Sequence, residues 1–310
     1  MSKIAVRTEN LNRDFGPIRA VDDLSLEIPA GIVFGFLGPN GSGKTTTIRL
    51  LLGLLEPTRG RAEVLGFNTR TQADEIRERC GALLEHTGLY ERLSAEDNLE
   101  LYGRIWRISA ADRKARTKEL LEHLGLWKRR GERVAGWSRG MRQKLAVARS
   151  LLHRPSLIFL DEPTAGLDPM AAASLRDDLL SLAGREGVTI FLTTHNLTEA
   201  EKLCAQVGVI RAGKLLAVGR PDQLRANAGG HQAVIFGRGF GERALASLRE
   251  RPEVAAATLQ DGRLVIDLKI EVEIAPLIGL LVNSGAQVEE ARKGNASLEE
   301  DFLSLMEMEK

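Results

Sequence analysis

The sequence has little cysteine. Cys80 and Cys204 are the only two in 310 residues, and neither belongs to a CxxC or metal-like spacing. A disulfide scaffold and a thiolate metal site are therefore excluded, and two reduced, buried thiols in a cytosolic protein are expected. No sign of charge dominates, with 43 Lys and Arg against 42 Asp and Glu. A global electrostatic footprint for nucleic acid is missing, and no nucleic-acid partner is expected. No apolar run approaches the roughly 18–20 residues that span a bilayer. The longest are GIVFGFLG (31–38) and LIGLLV (277–282). MSKIAVRTEN at the start lacks the apolar centre of a signal peptide. The expectation is a soluble, cytoplasmic chain that meets a membrane only by docking on a membrane protein. There is no internal repeat of the first domain and no low-complexity tract.

The length suffices for two domains, and an apolar content of 43% suffices for a core. AVRTENL and LSLEIP alternate apolar and polar residues, as half-buried strands do. IVFGFLG, SLIFLDEP and VTIFLTTH (188–195) are nearly continuous apolar runs, which suit strands buried on both faces. A helix is predicted from Lys44 through Leu55, stopped by Pro57. Residues 94–135 read as a mostly helical insert. RGMRQKLAVARSLL (139–152) reads as a helix with Met141, Leu145, Ala148 and Leu152 on one face. Helices between buried strands predict a parallel α/β core. After about residue 225 the pattern becomes βαββαβ, the ferredoxin-like arrangement. A last amphipathic helix, SLEEDFLSLMEMEK, closes the chain. Domains at 1–225 and 226–310 are expected, with the helical insert at about 94–150 of the first.

GPNGSGKT, Gly38 to Thr45, fills the pattern GxxxxGK[ST] between a predicted strand and a predicted helix, as that motif requires. Gly38, Gly41 and Gly43 let the backbone curl so that its N–H groups converge. The helix N-terminus adds the positive end of its dipole. Pro39, Asn40, Ser42 and Thr46 complete the cradle. Lys44 would reach β- and γ-phosphates, and the Thr45 hydroxyl would ligate Mg²⁺. LIFLDEP (157–163) delivers two carboxylates at the end of a buried strand. Asp161 would hold Mg²⁺, directly or through water. Glu162 would orient or deprotonate a water attacking the γ-phosphate.

WSRGMRQ (137–143) precedes that strand, AGLD (165–168) follows it, and TTHNLTEAE (193–201) ends the next one. With these motifs in this order, residues 3–220 resemble the ATP-binding subunit of an ABC transporter. The resemblance implies a two-lobed ATPase domain with a RecA-like core, an antiparallel β-subdomain and the helical insert. It implies ATP and Mg²⁺ as ligands. Ser138 and Gly140 match the signature sequence that closes over the γ-phosphate held by a second subunit. Trp137, Arg139 and Met141 depart from its usual form. Such a signature points away from its own phosphate loop, and each of two ATPs lies between two subunits. Asp168 matches the loop that crosses that seam, and His195 matches the histidine that contacts the γ-phosphate. Phe15 matches the aromatic that stacks on adenine, with a core role as its alternative. The implied partners are a second ATPase subunit, expected to be a copy of this chain, and an integral membrane permease. SLEEDFLSLM resembles the end of subunits that serve ABC-2 type exporters of drugs, antibiotics and lipids. The place implied is the inner face of the cell membrane. Two rivals stay open, a soluble ABC-type ATPase acting on ribosomes or DNA and a nucleotide-binding regulator without turnover. Lys128, Arg129 and Arg130 read as solvated surface.

In the family, a loop before the helical insert carries a metal-ligating glutamine. The stretch GLYERLSAEDNL (88–99) puts that position at Glu85, and no glutamine occurs from 73 to 142. Glu85 is therefore expected to offer a carboxylate oxygen to Mg²⁺, which suits a hard cation as well as an amide does. Its charge near the γ-phosphate costs affinity unless the metal offsets it. The substitution Glu85→Gln is expected to keep MgATP hydrolysis and to alter its magnesium dependence. An unchanged magnesium titration would count against a ligand role.

Overall fold

In the computed structural model, which describes residues 3–228, 231–260, 262–269 and 272–294, the alternating N-terminal segments pair as an antiparallel hairpin. Strands β1 (Ile4–Phe15) and β2 (Ile18–Pro29) turn back at Gly16, whose φ of +57° suits glycine. Val6, Leu11, Val21, Leu24 and Ile28 are buried on one face of it, as a sheet wet on its other face requires. After β3 (Val33–Leu37) and α1 (Lys44–Leu51) the chain returns to this sheet with β4 (Arg59–Val64) and β5 (Phe67–Asn68). The order is β2-β1-β4-β5.

Helix α2 (Ala73–Arg79) leads into β6 (Cys80–Leu83). Three helices follow, α3 (Ala95–Ile105), α4 (Ala110–His123) and α5 (Arg139–Leu151). Each begins at a serine, Ser94, Ser109 or Ser138, whose side chain accepts a backbone N–H three residues on. That cap fixes where each helix starts. The chain continues through β7 (Leu157–Asp161), α6 (Pro169–Glu186), β8 (Thr189–Thr194), α7 (Leu197–Leu203), β9 (Gln206–Arg211) and β10 (Lys214–Gly219). The second sheet has the order β10-β9-β3-β8-β7-β6, parallel except for β10. Among the described residues no helix is long and apolar enough to cross a membrane.

Every residue of β3, β7 and β8 is buried. Phe191 on β8 sits in register between Phe34 and Phe159, with ring centroids 5.5 Å from those of Phe34, Phe36 and Phe159. Tilted aromatic pairs add about 0.5–1.5 kcal/mol each beyond area burial. This layer ties together the three strands whose C-terminal ends carry the phosphate loop, the carboxylate pair and the histidine. Arg116 ties α4 to the core. Its buried guanidinium donates to Leu151 O at 2.9 Å and pairs with Glu186 at 2.7 Å. Cys80 and Cys204 are buried and unpaired, and burial pushes the Cys80 thiol up to about 12.

Two helices differ from their expected form. Helix α1 stops at Leu51, not Leu55. Gly53 takes φ +64°, Gly53 N–H bonds Leu50 O, and Leu54 N–H bonds Arg49 O at 2.8 Å. That is a Schellman closure, so the glycine ends the helix before Pro57 can. Helix α5 buries Ala146, Val147, Ser150 and Leu151 besides Leu145 and Ala148. The wider face follows from its end pressing on β6, where a Cβ on Gly81 would lie 2.0 Å from Ser150 O.

The residues pack as two units, Met1–Arg220 and Pro221–Lys310. The second contains α8 (Pro221–Ala228), β11 (His231–Arg238), α9 (Glu242–Arg249), β12 (Val254–Gln260), β13 (Arg263–Leu268), α10 (Ala275–Asn283) and β14 (Gln287–Gly294). Its antiparallel sheet has the order β12-β13-β11-β14. Leu248 of α9 and Leu277 and Leu281 of α10 pack on Ile235, Leu264 and Ile266. The closing helix expected at SLEEDFLSLMEMEK lies outside the described residues.

Phe191→Ala empties the centre of the aromatic layer. The expected cost is about 3–5 kcal/mol, read as a lower urea midpoint for the first unit. A midpoint within error of the parent would show that the layer does not hold the strands together.

Candidate nucleotide site

The loop between β3 and α1 is built to expose backbone donors. A Cβ on Gly38 would lie 2.3 Å from Ile210 O, and one on Gly43, at φ +104°, would lie 2.3 Å from Ala20 O. The loop therefore packs too closely for side chains at those two positions. No side chain caps the start of α1 and no acid occupies its first turn, so its leading N–H groups and its dipole are open to an anion. Ser42 is buried. The Lys44 ammonium donates to Gly38 O at 2.7 Å and Pro39 O at 3.0 Å, and its side chain is 6% exposed.

The end of β7 supplies the carboxylates. Asp161 accepts from Thr45 Oγ1 at 2.6 Å and from Thr193 Oγ1 at 2.5 Å. Glu162 takes φ +50°, and its N–H bonds Thr193 Oγ1 at 2.9 Å. A non-glycine residue in that region costs of order 1–3 kcal/mol, so its side chain is held in a chosen direction. Its two oxygens face different partners. Oε1 lies 3.2 Å from Lys44 Nζ, and Oε2 lies 2.6 Å from His195 Nδ1. Lys44, Glu162 and His195 thus meet, although they come from three different strand ends.

A cavity of about 370 Å³ opens beside them, and Asn40, Gly41, Gly43, Lys44, Thr45, Thr46, Asp161 and Glu162 contribute to its wall. Glu85 lines it too, but Glu85 Oε1 lies 3.3 Å from Arg49 Nη2 on α1 and both side chains are largely exposed. Ser138 and Gly140 do not line it. Ser138 caps α5 through the Met141 N–H, and a Cβ on Gly140 would lie 3.0 Å from Ala171 Cβ. The signature was expected to point away from its own phosphate loop, and Ser138 and Gly140 stand apart from the cavity while their neighbours reach it. Arg139 and Gln143 line the same cavity as Lys44. The long Arg139 side chain reaches over Gly166, where a Cβ would lie 2.4 Å from Arg139 Nη1. Asp168 caps α6, accepting from Ala171 N–H at 2.9 Å. Phe15 is 42% exposed, with the Arg13 guanidinium 4.5 Å from its ring centre, and it is not part of the cavity wall.

Thr193 is the residue that sequence reasoning missed. Its hydroxyl serves both carboxylate-bearing residues at once. The signal was the first Thr of TTH, but its partner depends on the register that sets Thr193 beside Asp161. The donor set also speaks to a metal. Thr45 and Asp161 offer hard oxygens, and among the described residues no group of three His, Cys, Asp or Glu could hold an ion unaided. That fits Mg²⁺, which keeps waters and takes its remaining ligands from phosphate.

Residues 21–165 match the family model described as ABC transporter. The chain is 36% identical over 308 residues to the daunorubicin resistance ATP-binding protein DrrA3 of Streptomyces coeruleorubidus, covering 98% of this chain and 96% of that one. It is 40% identical over 211 residues to the bacitracin transport ATP-binding protein BcrA of Bacillus licheniformis, covering 68% of each. It is 37% identical over 303 residues to the Nod factor export ATP-binding protein I of Cupriavidus metallidurans, covering 97% of this chain and 96% of that one. Among solved structures, cbiO1 of Clostridium perfringens, part of the ABC transporter complex cbiONQ, superposes with a TM-score of 0.68 at 25% identity, covering 72% of this chain and 91% of that chain.

Thr193→Val keeps the side-chain volume and removes the shared hydroxyl. Leaving buried partners short of a hydrogen bond costs about 1–3 kcal/mol, so a lower unfolding midpoint and weaker nucleotide binding are expected. Unchanged values for both would overturn the bridging role of Thr193.

Proposed function

This chain belongs to the ATP-binding family of ABC transporters, which hydrolyses ATP to ADP and phosphate, and we propose that it powers export through a separate membrane permease. The observation that carries the hydrolytic part is the convergence of Lys44, Glu162 and His195 beside Thr45 and Asp161. The export part is supported by relatives named for resistance and export that align over nearly the whole chain, the second unit included.

The geometry of the cavity supports the roles of the groups that meet there, and the family resemblance supports the others. The phosphate loop and the N-terminus of α1 bind the phosphates through backbone N–H groups. Lys44 exchanges Glu162 for phosphate oxygens. Thr45 and Asp161 would hold Mg²⁺, which when bound would neutralise phosphate charge. Glu162, relieved of Lys44, orients a water for the γ-phosphate and takes its proton. His195 contacts the γ-phosphate from the end of β8. Phe15 offers an exposed ring for adenine. Glu85 would offer the metal a further oxygen if released from Arg49. Ser138, Gly140 and Asp168 act across a seam with a second copy of this chain. In this reading the first unit is the ATPase domain and the second an accessory domain, divided after Arg220 and ahead of α8, not within that helix at residue 225 as expected from sequence, and the subunit sits on the cytoplasmic face of the membrane, bound to its permease. Action on ribosomes or DNA is not favoured, since the relatives are named for transport.

The test has two arms. Glu162→Gln is expected to lower kcat by about 10²–10⁴-fold while MgATP binding persists. Full hydrolysis in that variant would remove Glu162 from the mechanism. The tagged chain, extracted gently from membranes, is expected to bring down a stoichiometric polytopic membrane protein, identified by mass spectrometry. Ribosomal or DNA-repair proteins in its place, or no partner, would sink the export reading and leave the ATPase.

A further inference from the structure

Glu199 is a buried carboxylate that no role given so far uses. It lies in the first turn of α7 and is 4% exposed. Its Oε2 accepts two hydroxyl protons, from Thr164 Oγ1 at 2.8 Å and from Thr194 Oγ1 at 3.0 Å. Thr164 stands two residues after Glu162, in the turn that runs to Asp168. Thr194 stands immediately before His195. One oxygen atom therefore links the segment carrying the carboxylate base to the strand end carrying the histidine.

Helix capping does not explain the residue. Asn196 caps α7, with Asn196 Oδ1 accepting from Glu199 N–H at 3.0 Å. A glutamate three residues after a cap ordinarily reaches back to the cap residue's own N–H. Here that N–H donates to Thr194 Oγ1 at 3.0 Å. The Thr194 hydroxyl thus accepts one hydrogen bond and donates another to Glu199, which leaves the glutamate free to reach Thr164. The second oxygen, Glu199 Oε1, is buried without a partner. Burying a carboxyl group with one oxygen unsatisfied is unfavourable. Packing alone would favour an apolar side chain at this position.

Besides the bonds from the Glu162 N–H to Thr193, two links between side chains join the Glu162 loop to the end of β8. The outer one is the direct contact of Glu162 with His195, whose side chain is 57% exposed. The inner one is Thr164–Glu199–Thr194, and Glu199 and Thr194 are both buried. The outer link joins the two groups that act on the γ-phosphate in the reading above, so a bound phosphate and its water compete with it. The inner link touches neither reacting group and has no reason to open. Within the loop, Ala165 N–H bonds Glu162 O at 3.1 Å and Leu167 N–H bonds Thr164 O at 3.1 Å, so holding Thr164 also sets the course of the chain to Asp168.

We propose that Glu199 is a positioning residue for ATP hydrolysis, holding Glu162, Asp168 and His195 in register through Thr164 and Thr194 while the γ-phosphate separates Glu162 from His195. The proposal rests on the ATPase reading of this site. It places Glu199 behind the reacting groups, so it governs the rate of the chemical step and not the affinity for nucleotide.

The full chain carrying Glu199→Ala, Glu199→Gln or Thr164→Val tests it, with kcat, KM for ATP at saturating magnesium and the equilibrium Kd for MgATP measured for each. Misplacing a catalytic group by about 1 Å can cost about 10²-fold. In Glu199→Ala, kcat is expected to fall tenfold or more while Kd changes by less than about threefold. Glu199→Gln, whose amide oxygen can still accept from both hydroxyls, should recover most of that loss. Thr164→Val should lower kcat in the same direction, and combining it with Glu199→Ala should add little, because both break one link. If Glu199→Ala does not fold, Thr164→Val and Glu199→Gln decide alone. Parent kcat in Thr164→Val would overturn the proposal. So would a loss confined to thermal stability, or equal losses in kcat and in MgATP affinity. Glu162→Gln measured alongside separates the two readings. Full turnover there defeats the assignment of the base, whereas a normal Glu162→Gln defect with an indifferent Glu199 series defeats only the positioning role.

Discussion

A carboxylate delivered by a strand buried on both faces must find its hydrogen bonds at the strand's end, and the arrangement around the cavity follows from that demand at Asp161. Its donors come from two other elements, Thr45 at the start of α1 and Thr193 on β8. Three elements are thereby fixed to one another at the point where β3, β7 and β8 end. Beneath them the phenylalanine layer keeps those strands at a set spacing, so the polar cluster sits on a stiff base. Glu162 follows Asp161 immediately and must turn out of the strand. It does so at positive φ, held by the Thr193 hydroxyl. The rim is looser. Phe15, Glu85 and His195 are each 40% exposed or more by residue or side chain, which suits groups that meet a ligand from outside.

Much of this was legible in the sequence wherever the physics is local. IVFGFLG, LIFLD and TIFLTT lack alternation because both faces of those strands are covered, and they became β3, β7 and β8. The phosphate loop is legible because a backbone cradle needs glycine at set positions within one short segment. The βαββαβ order after β10 could be read because each element there carries its own period. What could not be read depends on register between segments far apart in the chain. Thr193 beside Asp161, Glu199 between Thr164 and Thr194, and Arg49 against Glu85 are pairings across 32, 35 and 36 residues of chain, respectively. The overlong helix at Lys44 was a misjudged local competition. Gly53, inside the span expected to be helical, takes the left-handed turn that ends it.

Arg139 shows how a departure from a motif acquires meaning only in three dimensions. As a letter it replaces a glycine in a signature expected to face a second subunit. As a side chain at the start of α5 it leans back toward the helix N-terminus, as helical side chains do. There it covers Gly166 and joins the wall that holds Lys44. Gly166 is at φ +68° and has no Cβ, so the guanidinium lies against bare backbone. The loop from Glu162 to Asp168 is thus held from outside by Arg139 and from inside by Glu199.

The charges around the cavity imply an order of events. Lys44 is tied to Glu162, and Glu85 is tied to Arg49, so these two acidic groups of the proposed chemistry begin in the company of a cation. A polyphosphate entering the loop offers Lys44 several oxygens in place of one carboxylate, within reach of the backbone donors that already favour anions there. In the proposed mechanism Glu162 is then released from Lys44 at the moment a phosphate arrives to be attacked. In the proposed reading a metal would pose the same choice to Glu85, whose exposed ion pair with Arg49 contributes no more than about 1 kcal/mol. In both places the ligand supplies the free energy that frees the acid, so binding and activation are one equilibrium, and each strengthens the other by the same factor. The inner link through Glu199 carries no such exchange. It can stay closed throughout, and that constancy lets the outer contacts open without losing their alignment.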